Sequence, residues 1–321
     1  MSEQENLILS VVVPLHNEAD GLLAFNTSLE TAAKTAAENY EIIYCDDGST
    51  DDTAGLVKKL RSDNPRIKLI KLSRHFGKES ALSAGIAEAN GQAILTIDGD
   101  GQHPVELIPD FVKKWQGGAQ VVVGISTNRK SESTVKRLGS RLFYKTFNLL
   151  TGQKLISGMT DYRLIDRAVQ KEFVKLSEVD RVTRGLIDWL GFKREYIEYT
   201  EKLRTTGTPG YSFSSLVKLA TNSFVSLSPT PLYLFGYLGV FITISSFILG
   251  VAVFIEQLLL SDPWNWNFTG TAMLGILVLF LVGIVLMSQG ILSLYISRIH
   301  SQSKQRPLYV IDRSGSLGIK D

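Results

Sequence analysis

The amino-acid sequence predicts an α/β domain with a mostly parallel sheet, followed by two membrane-spanning helices. Three observations carry that reading. Short β-branched and aliphatic runs alternate with longer helical stretches between residues 7 and 125, the pattern of a parallel α/β sheet. Polar clusters follow four of those runs, at residues 14–18, 46–52, 74–78 and 98–103. The carboxyl ends of parallel strands are where such sheets collect ligands. Farther along, residues 232–255 and 263–297 contain no Asp, Glu, Lys or Arg.

Residues 7–13 form a continuous apolar run ended by Pro14, as expected of a strand buried on both faces. A helix is predicted from about Asp20 to Asn39, and a second strand over residues 41–45. Asp46-Asp47-Gly48-Ser49-Thr50-Asp51 follows, with Ser49 or Thr50 placed to cap the next helix. A third strand covers residues 67–72 and leads through Arg74-His75-Phe76-Gly77-Lys78 to a helix ending near Asn90. A fourth strand spans 93–97, a helix spans 105–115, and a fifth strand spans 121–125.

The fourth strand runs into Asp98-Gly99-Asp100-Gly101-Gln102-His103-Pro104. Two carboxylates spaced by one small residue can share a hard divalent cation, and that cation can hold a diphosphate. The plainer alternative is an Asp/Gly-rich turn. Four polar clusters at one sheet edge favour the metal site. No Gly-x-Gly-x-x-Gly or Gly-x-x-x-x-Gly-Lys-Ser/Thr motif follows any strand, so a carboxylate-held metal is the expected substitute for a glycine-rich phosphate loop. His75 and His103 read as polar loop residues or hydrogen-bond donors.

Residues 133–151 read as a helix in which Arg137, Arg141 and Lys145 share a face. That face is either solvated or lies near anionic lipid. Residues 158–167 and 184–192 mix charged with apolar side chains, as segments at a cleft edge do.

The chain has 321 residues, a net charge of +2 and one cysteine. The small net charge gives no nucleic-acid signature, and a lone cysteine allows no internal disulfide. Cys45 reads as a small buried strand residue. Residues 1–6 are polar and read as neither a signal nor a transit peptide. Mean hydropathy is +0.08 although 21% of the residues are charged, so the apolar residues are concentrated in particular segments. Each uncharged stretch exceeds the roughly 20 residues needed to cross a bilayer core. The intervening loop carries Glu256 and Asp262 but no Lys or Arg, whereas Arg298, Lys304, Arg306 and Arg313 follow the second stretch. The positive-inside rule puts the loop outside and both termini in the cytoplasm. Before the first span, residues 213–227 have helical apolar spacing and form either a helix lying in the membrane interface or one packed on the soluble domain. Residues 306–311 read as a short strand that can add to the sheet edge of another subunit.

These motifs together resemble the family 2 glycosyltransferases of the GT-A fold, and more narrowly the bacterial polyprenyl-phosphate glycosyltransferases related to dolichyl-phosphate mannose synthase. The resemblance rests on Val11-Val12-Val13-Pro14-Leu15-His16-Asn17-Glu18, on Asp46-Asp47-Gly48-Ser49-Thr50-Asp51 and on Phe76-Gly77-Lys78-Glu79. Asp98-Gly99-Asp100 with Gln102-His103-Pro104, Asp161-Tyr162-Arg163-Leu164, and Arg184-Gly185-Leu186 with Trp189 complete it. It implies a GT-A domain over residues 1–211, an interfacial helix over 212–230, two spans within 231–297 and a cytosolic tail over 298–321. The implied reaction is inverting transfer of a monosaccharide, glucose by resemblance, from a UDP-sugar to undecaprenyl phosphate at the cytoplasmic membrane face.

The resemblance also implies residue roles. Pro14, Asn17, Glu18 and Asp46 would hold the base and ribose of the nucleotide sugar, with Asp98 near the ribose and diphosphate; Lys78, at the start of a helix, either approaches a phosphate or is solvated. Asp100 would ligate Mg2+ or Mn2+, with Gln102 or His103 nearby. Asp161 matches the position of a catalytic base, with Arg163 beside it. Arg129, Arg163 and Arg184 would surround donor and acceptor phosphates. The family's Gly-x-Ser-Lys before the membrane helices is replaced here by Gly207-Thr208-Pro209-Gly210, which leaves Lys202 and Arg204 as the nearest substitutes. The expected partners are the nucleotide sugar, the polyprenyl phosphate, the bilayer and further copies of the chain. A processive polysaccharide synthase and a non-catalytic membrane scaffold are the competing readings. The first would carry a Gln-x-x-Arg-Trp motif, absent here, and the second has no need of Asp98, Asp100 and Asp161.

Overall fold

The computed structural model describes residues 9–127, 159–178, 181–200 and 270–319, together with helical positions Phe241, Ile244 and Ile248. These belong to two units. The first is an α/β domain closed by residues from Arg306 onward; the second contains a long helix.

The α/β domain alternates as expected through its first half. It runs β1 (Leu9–Leu15), α1 (Ala19–Ala36), β2 (Tyr40–Asp46), α2 (Thr53–Asp63), β3 (Ile67–Lys71), α3 (Lys78–Glu88) and β4 (Ala93–Thr96). A single 3-10 turn, Val105–Leu107, leads into α4 (Ile108–Gln116) and β5 (Val121–Ser126). Then come β6 (Met159–Asp166), α5 (Arg167–Lys175), α6 (Thr183–Trp189) and β7 (Arg194–Tyr199). The strands form one seven-stranded sheet in the order β3-β2-β1-β4-β6-β5-β7. All neighbours are parallel except β6, which runs antiparallel to both β4 and β5.

Side-chain alternation along the strands splits the core in two. Val11, Val13, Ile42 and Tyr44 face one layer with Leu22, Phe25 and Leu29 of α1 and Phe111 of α4. Val12, Ile43, Cys45 and Ile70 face the other, with Ala81 and Leu82 of α3, Phe173 of α5 and Ile187 of α6. Both faces of the inner strands are therefore buried, which is why their sequences are nearly continuous apolar runs. Cys45 is buried within the second layer.

Two strands, β6 and β7, differ from the sequence reading, which took residues 158–167 for a cleft edge. Asp161, Arg163 and Asp166 interrupt the apolar pattern of β6, and β7 reads Arg-Glu-Tyr-Ile-Glu-Tyr. Charge on a strand hides it from a hydrophobicity pattern when tertiary partners satisfy the charge. The expected cap of α2 also changes. Its N-cap is Asp52, with no capping side-chain bond. Ser49 and Thr50 are engaged by Asn17 instead: Asn17 N donates to Ser49 Oγ (3.0 Å), and Thr50 N donates to Asn17 Oδ1 (2.8 Å).

The tail packs on its own domain. Leu317 and Ile311 form antiparallel bridges to Leu69 in β3 and to Leu72 just past it, so Ile311, the last residue of the stretch read as a strand, pairs within its own domain. The long helix α7 (Gly270–Ser303) has 34 residues. Most of residues 232–255 lie outside the described residues, as do Arg129, residues 133–151, Lys202, Arg204 and residues 213–227. Over the residues described side chain by side chain, no helix is long and apolar enough to cross a membrane.

Candidate functional site

The polar clusters converge at the carboxyl ends of β1 to β4, and β6 brings the next group of side chains there. Thr96 of β4 pairs with Arg163 of β6 in antiparallel register. Two residues beyond Thr96 is Asp98, and two residues before Arg163 is Asp161, so register places the two carboxylates at the same level. Thr96 Oγ1 donates to the Asp161 carbonyl at 2.5 Å and fixes this junction.

Lys78, the first residue of α3, fills the space between them. Its Nζ lies 2.7 Å from Asp98 Oδ1 and 2.9 Å from Asp161 Oδ2. Burial works against the ammonium, but the two carboxylates outweigh it and hold Lys78 above its ordinary pKa. Burial likewise opposes charge on Asp98, and is overcome by the His103 hydrogen bond and by Lys78, which keep that carboxyl well below the usual range. Asp98 is therefore ionised throughout the neutral range.

His103 is a bracket for Asp98. Its Nε2 lies 3.3 Å from Asp98 Oδ2, and its Nδ1 lies 2.7 Å from the Tyr199 hydroxyl. Tyr199 continues to Thr160 Oγ1 at 3.1 Å, and the His103 ring stacks against Tyr162 with centroids 5.3 Å apart. Both ring nitrogens are thus engaged, as a hydrogen-bonding rather than a metal-ligating histidine requires. Asp100 lies one turn on, where its Oδ1 accepts from Gln102 N at 3.1 Å. The backbone there needs Gly101 in the left-handed region (φ 72). A cleft of about 350 Å³ opens beside Asp100, lined by Glu18, Gly21, Phe25, His103 and Glu106 among others. The Asp100 carboxylate is an oxygen donor beside this cleft that fits a hard divalent cation, whereas both Asp98 oxygens are engaged by Lys78 and His103.

The nucleotide candidates occupy the neighbouring loops. Pro14 lies in β1 opposite Cys45. Asn17 adopts a left-handed backbone (φ 56), stabilised by its contacts with Ser49 and Thr50. Glu18 N donates to Thr53 Oγ1. Asp46 is fully buried; its Oδ1 accepts from Ser49 N, while Oδ2 has no hydrogen-bond partner among the described residues. A buried acceptor of that kind is costly unless something donates to it, which fits a ligand N–H or O–H.

Arg163 and Arg184 part company. Arg163 is 2% exposed. Its Nε donates to the Thr160 carbonyl, and its Nη1 donates to the Arg184 carbonyl and to Asp188 Oδ1 at 3.1 Å. Burial lowers its pKa, against the opposing field of Asp188. It braces β6 against α6, while the Arg184 side chain is exposed. Glu79, which the sequence offered only as part of a motif with no role, accepts through its Oε2 from Thr183 N at 2.8 Å and docks the start of α6. Tyr199 and Thr160 were missed because nothing in sequence links them to His103.

Residues 10–173 match the family model described as glycosyl transferase family 2. A bactoprenol glucosyl transferase of Shigella phage SfV is 33% identical, over 94% of this chain and 97% of that protein. A prophage bactoprenol glucosyl transferase homolog of Escherichia coli is 31% identical, over 95% and 98%. In fold, the chain is similar to the glucosyl-3-phosphoglycerate synthase of Mycobacterium tuberculosis, with a TM-score of 0.50 and 20% identity over 70% of this chain and 80% of that one. With half of its length under the family model and relatives of this identity along nearly all of it, the chain belongs to glycosyl transferase family 2.

Proposed function

We propose that this glycosyltransferase moves glucose from a UDP-sugar to undecaprenyl phosphate at the cytoplasmic face of a membrane. The observation that carries the acceptor and the sugar is the near end-to-end similarity to proteins named bactoprenol glucosyl transferase. The uncharged segments 232–255 and 263–297 supply the membrane reading.

The acceptor phosphate oxygen attacks the anomeric carbon as the bond from that carbon to the diphosphate breaks, and the sugar inverts. A phosphate monoester loses its second proton near pH 6, so the acceptor arrives mostly deprotonated. Asp161, already ion-paired with Lys78, then serves to orient rather than to abstract a proton. Asp100 would hold Mg2+ or Mn2+, which when bound neutralises charge on the departing diphosphate, with Asp98 near the ribose and diphosphate. Lys78 adds a fixed positive charge beside the same position. Asp46 and Asn17 receive the nucleoside. Arg163 supports β6 from beneath, and Arg184, Arg129, Lys202 and Arg204 are the candidates for contacts with acceptor phosphate.

The test is incubation of the purified full-length protein with labelled nucleotide sugars, Mg2+ or Mn2+, and undecaprenyl phosphate. Labelled glucosyl lipid from UDP-glucose is the expected product. A polymer would favour the processive reading, and no transfer from any nucleotide sugar would favour the scaffold. Asp161→Asn should lower turnover by far more than roughly tenfold while leaving donor binding little changed; near-normal turnover would remove Asp161 from the reaction.

A further inference from the structure

Tyr199 belongs to none of the sequence motifs, yet its hydroxyl ends at the catalytic edge. It closes β7 and is 5% exposed. Its carbonyl accepts from Thr127 N at 2.8 Å, which fixes the backbone. The ring lies against β5 at Gly124, where a Cβ would come within 2.9 Å of Tyr199 Cε1. That glycine leaves the room in which the hydroxyl reaches His103, 96 residues away in sequence.

Donors and acceptors along this line of contacts follow from the chemistry of each group. Lys78 Nζ donates to Asp98 Oδ1 at 2.7 Å and to Oδ2 at 2.9 Å, so Asp98 acts only as an acceptor. His103 Nε2, 3.3 Å from Oδ2, therefore carries a proton and donates it. In the neutral ring Nδ1 then keeps its lone pair and takes a donor. The Tyr199 hydroxyl, at 2.7 Å, is that donor. Thr160 Oγ1 lies 3.1 Å from the Tyr199 oxygen and 3.1 Å from the Gly124 carbonyl, and anchors the hydroxyl to β6 and β5. The imidazole face stacks on Tyr162 and its edge meets the Tyr199 ring, with centroids 5.3 and 5.6 Å away. Stacking sets the plane of the ring but not which nitrogen bears the proton; the hydrogen-bond partners set that.

We propose that Tyr199 is a positioning residue for the donor site: its hydroxyl holds His103 as the Nε2–H tautomer and so fixes the direction in which Asp98 is presented. Tyr199 acts through His103 and touches no reacting atom. The role rests on the nucleotide-sugar reading above, in which Asp98 lies near the ribose and diphosphate. A lysine ammonium donates through any of three rotatable protons and does not by itself fix the plane of a carboxylate. A buried imidazole locked at its other nitrogen does.

The experiment uses full-length protein and Tyr199→Phe, which keeps the buried ring and removes the hydroxyl, alone and combined with His103→Asn. With UDP-glucose as the varied substrate, Tyr199→Phe should raise the donor KM about tenfold, the scale of one hydrogen bond lost from a buried network. It should leave kcat within about twofold. In the His103→Asn background the same change should have no further effect, because the route to Asp98 is already cut. A tyrosine with a purely structural role would instead lower the active fraction, and with it kcat, in both backgrounds. The ring is read separately from the 15N resonances of histidine-labelled protein in mildly alkaline buffer without donor. His103 should show a protonated Nε2 and a bare Nδ1, and Tyr199→Phe should shift the Nδ1 signal. An unchanged donor KM, an equal effect in both backgrounds, or a proton on Nδ1 would each overturn the proposal. Lack of turnover with every nucleotide sugar would fall on the donor reading instead, and the nitrogen signals, which need no donor, then decide whether Tyr199 holds His103.

Discussion

Lys78 Nζ and Asp161 Oδ2 lie 2.9 Å apart although 83 residues separate them in sequence. That contact, made at the first residue of α3 and two residues into β6, ties both sides of the catalytic edge together. Lys78→Met keeps the stem and removes the charge. It leaves Asp98 and Asp161 facing each other without a cation, so transfer should fall roughly a hundredfold. Steady-state kinetics with circular dichroism checks this; unchanged kcat in a folded variant would reduce Lys78 to a structural counter-ion.

Asp100 is the carboxylate of the motif placed beside the 350 Å³ cleft. Asp100→Asn should remove the metal dependence of donor binding. Calorimetry of UDP-sugar binding with and without Mn2+ measures it, and a metal-dependent affinity equal to wild type would reassign the ligand.

Arg163 bonds to Asp188 in the interior, with relative exposures of 2% and 10%. Arg163→Met strands that carboxylate, although Arg194 Nη1 at 3.3 Å offers it a second partner. Loss of one member of a buried pair costs about 3–5 kcal/mol, and Arg194 brings the expectation to the lower end. Denaturant unfolding should show this loss. Adding Asp188→Asn should recover part of it, because the stranded charge is then gone.

Glu79 is pushed up in pKa mainly by burial, with the Thr183 hydrogen bond opposing. The folded protein therefore holds this proton above the unfolded value of about 4.3. Stability from this group is present below that value and is lost as pH rises through the folded pKa. Glu79→Gln removes the slope and keeps an acceptor for Thr183 N. The melting temperature of the variant minus that of the wild type should grow as pH rises from about 4. A flat or falling difference would contradict the burial of a charged Glu79.

The strands β1 to β5 were legible because each is an apolar run that needs no partner to be recognised, and the polar residues following four of them marked the ligand edge. β6 was not, because Asp161 and Arg163 spoil its pattern and are accommodated only by Lys78 and Asp188. His103 was legible as a hydrogen-bond donor, but its alternative role as a metal ligand depended on where Tyr199 lies, 96 residues away. Arg163 resembled a phosphate contact by position in a motif, yet strand alternation and the docking of α6 turn it inward.

By itself, then, the sequence determined the alternating α/β order, the edge where ligands collect and the uncharged C-terminal segments. These follow from local periodicity and charge, which short stretches of chain carry in full. Tertiary structure decided which carboxylates share one cation, that His103 braces Asp98, and that the tail pairs within its own domain. Those are distances between residues far apart in the chain, set by strand register and by the packing of α3 and α6, and no local pattern encodes them.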